Sequence, residues 1–383
     1  DWNQVFHTLP LEDLPKTAGK KLDFYDDWMK HPSYDEYWKK LAIKERYSDI
    51  KIPILQIGGW YDFFTAGTLN NFVGMKEKGG SELARKYQRA IIGPWTHSFV
   101  GKLTYAGNTD YSSTASIDIL EIELAWFDHW LKGLQNEAEL EPPLKLFIMG
   151  SNKWRDEYEW PLKRTDYTPW YFHSNGNGNS AAGCGTLSTA KPNKESPDQF
   201  TYNPMFPVPT KGGCNCCDPH IIPWGSYDQR EVEARSDVLV YTSDELDKPV
   251  EVTGPITVKL FASTDCLDTD FTAKLVDVYP DGRALNLCDG IVRARYRNST
   301  EKEELLKPNK IYEFTIDLWP TSNVFKSGHK IRVDISSSNF PRFDRNTNTG
   351  NNINSDSDLK IANQTIYHES GMLSQIILPI ISN

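Results

Sequence analysis

Asp62 and His97 are the residues of this sequence whose types and placement suit acid–base chemistry. Asp62 lies in the apolar stretch IGGWYDFF at 57–64, and His97 ends the stretch IIGPWTH at 91–97. Each stretch is typical of a buried strand that ends in a polar residue beside a tryptophan. An aspartate that orients an imidazole lets the imidazole take a proton from a hydroxyl. The pair therefore predicts the acid and base of a hydrolase, with a turn Asp and a strand-capping His as the alternative.

The elements around this pair have the pattern of an α/β fold with a parallel sheet. Apolar strands are predicted at 51–59 and 89–93, and an amphipathic helix is predicted between them at 66–78. A second helix is predicted at 114–135, ending near a glycine. Alternation of strands and helices puts the carboxyl ends of the strands at one edge of the sheet. We therefore assign residues 49–138 to an α/β unit that carries Asp62 and His97.

The segments on either side of this core have a different texture. Residues 22–48 are predicted to form two short helices rich in Trp and Tyr, and residues 1–48 are set apart from the core. From 139 to 383, short strands with β-branched residues alternate with turns rich in Pro, Gly, Asn and Asp. This pattern is typical of an all-β sandwich, and we expect a jelly roll.

Composition limits the function classes. A chain of 383 residues is too long for one ordinary core, so at least two domains are expected. The net charge of −10 argues against nucleic-acid binding, which requires a basic surface. No apolar run is long enough for a membrane span, so no membrane partner is expected. No cofactor or metal is expected either, and a homo-oligomer is left open.

Several longer segments resemble a known family. GGWYDFFTAGTLNNF at 58–72 and RAIIGPWTHS at 89–98 resemble the acid and His segments of the CocE/NonD acyl-esterase family, which is related to the S15 peptidases. The stretches at 240–297 and 328–350 resemble the β-domain of that family. The resemblance extends over nearly the whole chain.

This resemblance implies a serine hydrolase with an α/β-hydrolase core, a helical cap and a C-terminal jelly roll. Residues 1–48 would then be the end of the cap region, and residues 49–138 would be the C-terminal part of the hydrolase core. Asp62 and His97 would be members of a Ser-His-Asp triad. Four aromatic residues beside the pair are interpreted as substrate-binding, with core packing as the alternative for the two tryptophans: Trp60, Phe63, Phe64 and Trp95.

The nucleophile that this family uses is absent from the sequence. The family places its serine in a G-x-S-x-G elbow ahead of the acid and the His. The serines in GSNKW at 150–154, WGSYDQ at 224–229 and ESGMLS at 369–374 do not match the elbow and follow the His. We therefore expect the serine in a segment N-terminal to this chain. That segment is an expected partner, because a hydrolase sheet without its first strands exposes an unpaired edge.

The acyl substrate is only partly specified. In α-amino acid ester hydrolases, acidic residues follow the triad Asp by two and three positions, whereas Phe64 and Thr65 occupy those positions here. This disfavours a charged ammonium in the substrate. Phe63 and Phe64 suit an apolar or aromatic group, and Lys102 is a candidate partner for a glutaryl carboxylate. Glutaryl amides and simple esters both stay open.

Two other functions are weighed against the acyl esterase or acylase. An X-Pro dipeptidyl aminopeptidase would share the fold and the triad but would need an acidic site for the substrate N-terminus. A non-catalytic jelly-roll binding module attached to a decayed hydrolase would not need Asp62 and His97 together.

Cysteine placement bears on redox compartment and metal binding. The cluster CNCC contains Cys214, Cys216 and Cys217, and Cys184 lies upstream. Its C-x-C-C spacing lacks the second ligand pair of a zinc site, so free thiols in a loop are the favoured interpretation. Unpaired thiols indicate a reducing compartment, and a cytoplasmic location is expected.

Overall fold

The computed structural model describes residues 1–98 and 100–382, and for Glu137 the backbone alone. Its α-helices lie mainly in the first third of the chain: α1 Trp2–Phe6, α2 Leu14–Thr17, α3 Asp23–Lys30, α4 Glu36–Leu41, α5 Thr65–Lys78, α6 Glu82–Lys86, α7 Ile119–Lys132 and α8 Arg230–Glu233. Among the residues described, none of the helices is both long and apolar enough to cross a bilayer.

Strands dominate the rest of the chain. They are β1 Ile54–Tyr61, β2 Gln88–Thr96, β3 Tyr105–Ala106, β4 Thr109–Asp110, β5 Leu144–Ile148, β6 Lys153–Glu157, β7 Thr165–His173, β8 Thr186–Ser188, β9 Asp198–Tyr202, β10 Leu239–Thr242, β11 Val250–Thr264, β12 Asp270–Val278, β13 Ala284–Arg293, β14 Tyr312–Phe325, β15 Lys330–Ser336, β16 Ala362–Glu369, β17 Met372–Leu373 and β18 Gln375–Ile381.

A small mixed sheet carries the predicted α/β pattern. Its strand order in the described chain is β1-β2-β5-β6. β2 runs parallel to both β1 and β5, and β6 pairs with β5 in the antiparallel sense. Helices α5 and α6 connect β1 to β2, and α7 lies between β2 and β5, as parallel neighbours require. Because β5 and β6 belong to this sheet, the sequence-based division between residues 138 and 139 falls within the segment that builds it.

The remaining long strands form a β-rich domain, as predicted. β11 pairs with β14, β16 and β18, and β12 pairs with β13 and β15, in the antiparallel sense throughout. The strands β12 and β14 face each other across the interior, where the rings of Phe271 and Phe314 lie 4.8 Å apart. Alternate residues are buried in much of β11 and in the first half of β14, and β12 is buried along almost its whole length, which gives a sandwich core. The jelly-roll connectivity within this domain stays a prediction.

The N-terminal helices are held chiefly by loops of the β-domain. Tyr34 donates its backbone N–H to Thr300 O at 2.8 Å, and the hydroxyls of Ser33 and Tyr296 lie 3.0 Å apart. The guanidinium of Arg345 donates to His7 O at 2.6 Å. These contacts link residues about 260 to 340 positions apart in sequence. Tyr47 donates its hydroxyl to Asn71 Oδ1 on α5 at 2.9 Å, so residues 1–48 contact both parts of the described chain.

A strand edge and an apolar helix face of the α/β part have no partner within the described residues. β1 is the terminal strand of the small sheet, so its second edge is unpaired in residues 1–98 and 100–382. On α7, the side chains of Leu120, Leu124, Phe127 and Leu131 are each more than half exposed. Their spacing of three or four residues places them on one face of the helix. We call these four residues the α7 apolar stripe.

A buried ionic network stabilises the β-domain. The ring of His368 lies between two carboxylates, with Nε2 3.0 Å from Asp198 and Nδ1 3.1 Å from Glu195. Burial alone would lower the pKa of His368, but the hydrogen bond to Asp198 and the charges of both carboxylates raise it above 6.5. Burial alone would raise the pKa of Asp198, but hydrogen bonds from His368, Ser174 and Tyr241 bring it below 3.8.

These shifts predict a pH-dependent free energy of unfolding. The raised pKa of His368 gives stabilisation that is complete below its ordinary value of 6.5 and is lost as pH rises through the raised value. The lowered pKa of Asp198 gives stabilisation that is complete above 3.8 and is lost as pH falls through the lowered value. Both contributions are therefore complete only between those two ordinary values.

The substitution His368→Gln tests this network. We expect it to cost about 3 kcal/mol near pH 6, because Asp198 and Glu195 lose their buried partner. Urea unfolding measured from about pH 5 to pH 9 should show that the variant loses less stability with rising pH than the wild type. The exposed His220, changed to Gln, is the control and should follow the wild type. Equal pH slopes for wild type and His368→Gln would contradict the assignment.

Candidate active site

Asp62 is positioned by the irregular end of β1. The parallel register pairs Gly59 with Gly93 and then Tyr61 with Thr96, with a bulge between the two pairs. A Cβ atom on Gly59 would lie 2.1 Å from the carbonyl oxygen of Trp95, so only glycine allows this close approach. Asp62 and His97 directly follow the last registered pair. The sequence therefore brings them together through the register of two neighbouring strands.

The turn after β1 fixes the carboxylate of Asp62. Its Oδ1 accepts the backbone N–H of Phe64 at 2.8 Å, which closes an Asx turn before α5. The hydroxyl of Thr65 donates to the carbonyl oxygens of both Gly59 and Asp62. The carboxylate is thus held by the turn itself, independently of His97.

His97 faces this carboxylate directly. Its Nδ1 lies 3.3 Å from both Oδ1 and Oδ2 of Asp62. The Asp62 side chain is 6% exposed and the His97 side chain 39% exposed, so the carboxylate is shielded while the imidazole reaches the surface. A buried carboxylate on Nδ1 leaves Nε2 as the nitrogen that can accept a proton from a nucleophile. The structure thus brings the two side chains into contact, and their acid–base role stays a prediction.

Phe63 and Phe64 surround the imidazole of His97. The ring of Phe63 lies 4.7 Å from the imidazole and the ring of Phe64 lies 5.5 Å from it, both in edge-to-face geometry. Phe64 is exposed, and Phe63 is partly buried. Both side chains therefore lie where a substrate group bound next to His97 would contact them.

Trp60 and Trp95 occupy the interior instead. Each is 1% exposed. The indole N–H of Trp60 donates to Phe147 O at 2.7 Å, and that of Trp95 donates to Ala115 O at 2.9 Å. Their rings pack against Trp160 and Trp154. This burial favours the core-packing role over substrate contact, because neither ring presents a free face.

A cavity of about 680 Å³ opens beside Phe63. Its wall is mostly apolar and combines four parts of the chain: Trp2 and Phe6 from α1, Phe63, residues 214–218 with Ile221 and Ile222, and Trp319, Arg342 and Phe343 from the β-domain. A volume of this size accommodates a small aromatic ligand. Phe63 belongs both to this wall and to the ring contact with His97, so the cavity adjoins the acid–base pair.

The CNCC cluster forms part of this wall, in a form that the sequence did not predict. Cys216 and Cys217 are joined in a disulfide, so the expectation of free thiols is wrong for these two residues. Cys214 is a buried thiol that donates to Trp60 O at 3.4 Å, and burial raises its pKa to about 12. Cys184 lies elsewhere and donates to the side chain of Asn175. Within the described chain, no His, Cys, Asp and Glu side chains group in a way that suits a metal ion.

The charged residues of the wall were not predicted. Arg342 is paired with Asp289 and lies over the ring of Trp319 at 5.2 Å. The exposed Lys102, the predicted candidate for a substrate carboxylate, does not contribute to this wall. Asp218 provides a carboxylate that accepts the backbone N–H of His220 at 2.9 Å. The unusual CNCC spacing was the one sequence signal for this region, since α1 and the Arg342 loop carry no catalytic motif.

His97 has no serine partner within the described chain. In residues 1–98 and 100–382, Asp62 is the hydrogen-bond partner of its ring. Of the serines considered from the sequence, Ser151 donates to Ile148 O and Ser226 is buried. The geometry thus contains an acid and a base beside an apolar cavity, and the exposed side of the imidazole is free of a described nucleophile.

Two protein families match this chain. Residues 2–99 match the family described as X-Pro dipeptidyl-peptidase (S15 family). Residues 136–377 match the family described as X-Pro dipeptidyl-peptidase C-terminal non-catalytic domain. The first match contains Asp62 and His97. The second begins before β5, so it includes two strands that hydrogen-bond within the small sheet.

Individual relatives agree with these families. Cocaine esterase from Rhodococcus sp. (strain MB1 Bresler) is 42% identical over 380 residues, which cover 97% of this chain and 64% of the relative. The structure of an α-amino acid ester hydrolase matches with a TM-score of 0.84 at 26% identity, covering 99% of this chain and 64% of that one. An aminopeptidase from a marine sediment Thaumarchaeota archaeon matches with a TM-score of 0.80 at 26% identity, covering 94% and 60%. The chain thus spans less than two thirds of the length of these relatives.

Proposed function

This chain belongs to the X-Pro dipeptidyl-peptidase S15 family, in its CocE/NonD branch, and from that premise we propose that it supplies the acid and the base of a serine hydrolase that cleaves acyl esters or amides. The observation that carries the proposal is the Asp62–His97 pair. The imidazole Nδ1 lies 3.3 Å from a shielded carboxylate, and the ring borders an apolar cavity. A binding module without catalysis would have no need for this arrangement.

The proposed reaction follows the chemistry of a Ser-His-Asp triad. His97 Nε2 takes the proton of a serine hydroxyl as the serine attacks the acyl carbonyl. The protonated imidazole then transfers this proton to the leaving alcohol or amine. Asp62 holds the ring through Nδ1–H and stabilises its charged form. A second cycle with water as the nucleophile hydrolyses the acyl-enzyme and restores His97.

The serine of this triad is proposed to lie in a segment N-terminal to this chain. Relatives are longer than the chain, and the family order places the serine before the acid. The unpaired edge of β1 and the α7 apolar stripe are surfaces that such a segment would cover. The segment is therefore the proposed partner of this chain, and it would also supply the donors that stabilise the oxyanion.

An ester with an apolar or aromatic group is the proposed substrate class. Phe63 and Phe64 border His97, and the adjoining cavity wall is largely apolar. Cocaine esterase, the relative with 42% identity, is named for an ester substrate. The position of Arg342 leaves a glutaryl carboxylate open, although Asp289 already pairs with that guanidinium.

An X-Pro dipeptidyl aminopeptidase is the second candidate, and one observation favours it. Asp218 lies in the cavity wall, where its carboxylate could meet a substrate ammonium. The sequence had offered no acidic group for this role. A cytoplasmic location stays a proposal for both candidates: the buried free thiols of Cys214, Cys266 and Cys288 favour it, whereas the Cys216–Cys217 disulfide argues against it.

The full-length protein that contains this chain should react with a fluorophosphonate, which labels activated serines. We expect one labelled serine, N-terminal to the residues described, and hydrolysis of a phenyl ester in preference to an X-Pro anilide. Preference for the anilide would favour the aminopeptidase. Absence of labelling together with absence of hydrolysis would contradict both and would favour the binding module.

A further inference from the structure

The Cys216–Cys217 disulfide stands at a part of the cavity wall that the acid–base chemistry does not use. Both cysteines line the cavity of about 680 Å³ together with Phe63, whose ring contacts His97. Among the described residues, Cys216 and Cys217 form one disulfide, and the other four cysteines are free thiols. A pair of oxidised sulfurs offers an apolar, polarisable surface that packs well against aromatic rings.

The loop that carries the disulfide is anchored at its base. Gly213 and Gly225 exchange two backbone hydrogen bonds, of 2.7 and 2.9 Å. The buried side chain of Asn215 donates to Gly212 O at 3.0 Å and to Pro223 O at 2.8 Å. Cys214 donates to Trp60 O, two residues before Asp62. The base of the loop is therefore tied both to itself and to the strand that positions the acid.

The tip of the same loop lines the cavity, and its backbone takes an unusual conformation at the disulfide. Cys217 has a φ of 86°, in the left-handed region that residues other than glycine rarely adopt. Asp218 O accepts the backbone N–H groups of Ile221 and Ile222, and both isoleucines line the cavity. The disulfide closes a ring between neighbouring cysteines. This ring restricts rotation of the Cys217 backbone toward negative φ. The disulfide thus holds the backbone that presents Ile221 and Ile222.

Aromatic residues from two other parts of the chain also line the cavity. Trp2 and Phe6 come from α1, and Trp319 and Phe343 come from the β-domain. A planar apolar group entering the cavity past Phe63 would meet these rings as well as the loop that carries the disulfide. Aromatic side chains and sulfur favour such a group over a small aliphatic one.

We propose that the Cys216–Cys217 disulfide is a specificity element of the ester site, which shapes the cavity wall for an aromatic acyl group. This rests on the proposed hydrolase function. Reducing the disulfide frees Cys217 and loosens the wall, while Asp62 and His97 keep their turn and strand contacts. The effect therefore falls on recognition of the aromatic acyl group, and the chemical step on a small acyl group is retained.

The test compares para-nitrophenyl benzoate with para-nitrophenyl acetate, which share a leaving group and differ in the acyl group. The full-length enzyme is assayed oxidised, after reduction by a phosphine, and as the double variant Cys216→Ser, Cys217→Ser. In the reduction, the phosphine supplies two electrons, and water supplies two protons and the oxygen of the phosphine oxide, so two thiols form. Alkylation and mass spectrometry count the thiols before and after. Cys184→Ser, which removes a partly exposed thiol outside the cavity, is the matched control.

We expect reduction or the double variant to lower the benzoate-to-acetate ratio of kcat/KM about tenfold, chiefly through KM for the benzoate, as loss of apolar pocket contacts does. Cys184→Ser should keep the oxidised ratio and should respond to the phosphine like the wild type. An unchanged ratio with both thiols counted as reduced would overturn the proposal. So would alkylation of Cys216 and Cys217 without any reductant.

A binding measurement separates this proposal from the proposed hydrolase function. Benzamide, an uncleaved aromatic probe, is titrated into the protein while tryptophan fluorescence is recorded. The signal should respond to binding because Trp2 and Trp319 line the cavity. The oxidised protein should bind it about tenfold more tightly than the reduced protein. If neither ester is hydrolysed but the oxidised protein still binds benzamide more tightly, the proposed hydrolase function is wrong. The disulfide would then shape a binding site for aromatic groups. Equal binding in both redox states overturns the specificity element whether or not the esters are cleaved.

Discussion

Replacing His97 with Ala in the full-length enzyme is expected to lower kcat for a phenyl ester on the order of 10⁴- to 10⁶-fold. The loss is large because a serine hydroxyl is almost fully protonated near neutral pH and attacks well only while a base removes its proton. The leaving group also loses the acid that protonates it. KM should change much less, since the cavity wall beside Phe63 remains.

Folding must be kept separate from catalysis in this experiment. His97 is partly exposed and makes its side-chain contacts at the end of β2, so its truncation should leave the thermal midpoint within a few degrees. His129→Gln is a matched control, because this histidine lies on α7 and pairs with Glu139. It should retain wild-type kcat. His97→Ala with more than about a tenth of wild-type activity would remove His97 from the mechanism.

Asp62→Asn refines the same prediction. The amide keeps the size of the side chain but cannot hold the imidazole in the tautomer with its proton on Nδ1, and a loss of roughly 10⁴-fold in kcat is expected. The Asx turn to Phe64 N requires only an oxygen acceptor, which asparagine retains. A small effect of Asp62→Asn beside a large effect of His97→Ala would mean that another group orients the imidazole.

The second large effect is expected at the α7 apolar stripe. Changing Leu124 and Phe127 together to Asp should destabilise the full-length protein by at least about 3 kcal/mol, because the proposed N-terminal segment would bury both carboxylates without partners. In the chain expressed alone, the same change should raise solubility, because it removes exposed apolar surface. Opposite signs in the two contexts distinguish a buried interface from a surface that is exposed in the complete protein.

Denaturant unfolding of the full-length protein and light scattering of the isolated chain measure the two effects. Gln135→Asp is the control, since it adds the same carboxylate at an exposed polar position just beyond α7. It should change neither measurement by much. Full-length stability that is unaffected by the double substitution would show that this face stays in water and that the segment covers another surface.

The contact between Asp62 and His97 was predictable because its signal is local. Asp62 and His97 each follow an apolar stretch that only a buried strand explains, and parallel neighbours put such positions at one sheet edge. The β-rich character of the second half was predictable for the same reason, since alternation and turn residues are read within a few positions. The need for glycine at position 59 was harder to predict. It arises from the close approach of Trp95, which is known only once β1 and β2 are paired.

The sequence by itself determined which residues could do the chemistry and which kind of elements hold them, because strand and helix periodicity are short-range properties of the chain. The tertiary structure alone decided what surrounds them. It buried Trp60 and Trp95, extended the small sheet through β5 and β6, and joined α1, the Cys216–Cys217 loop and the Arg342 region around one cavity. Contacts between segments more than a hundred residues apart leave no periodic trace, since they depend on how whole sheets and loops pack.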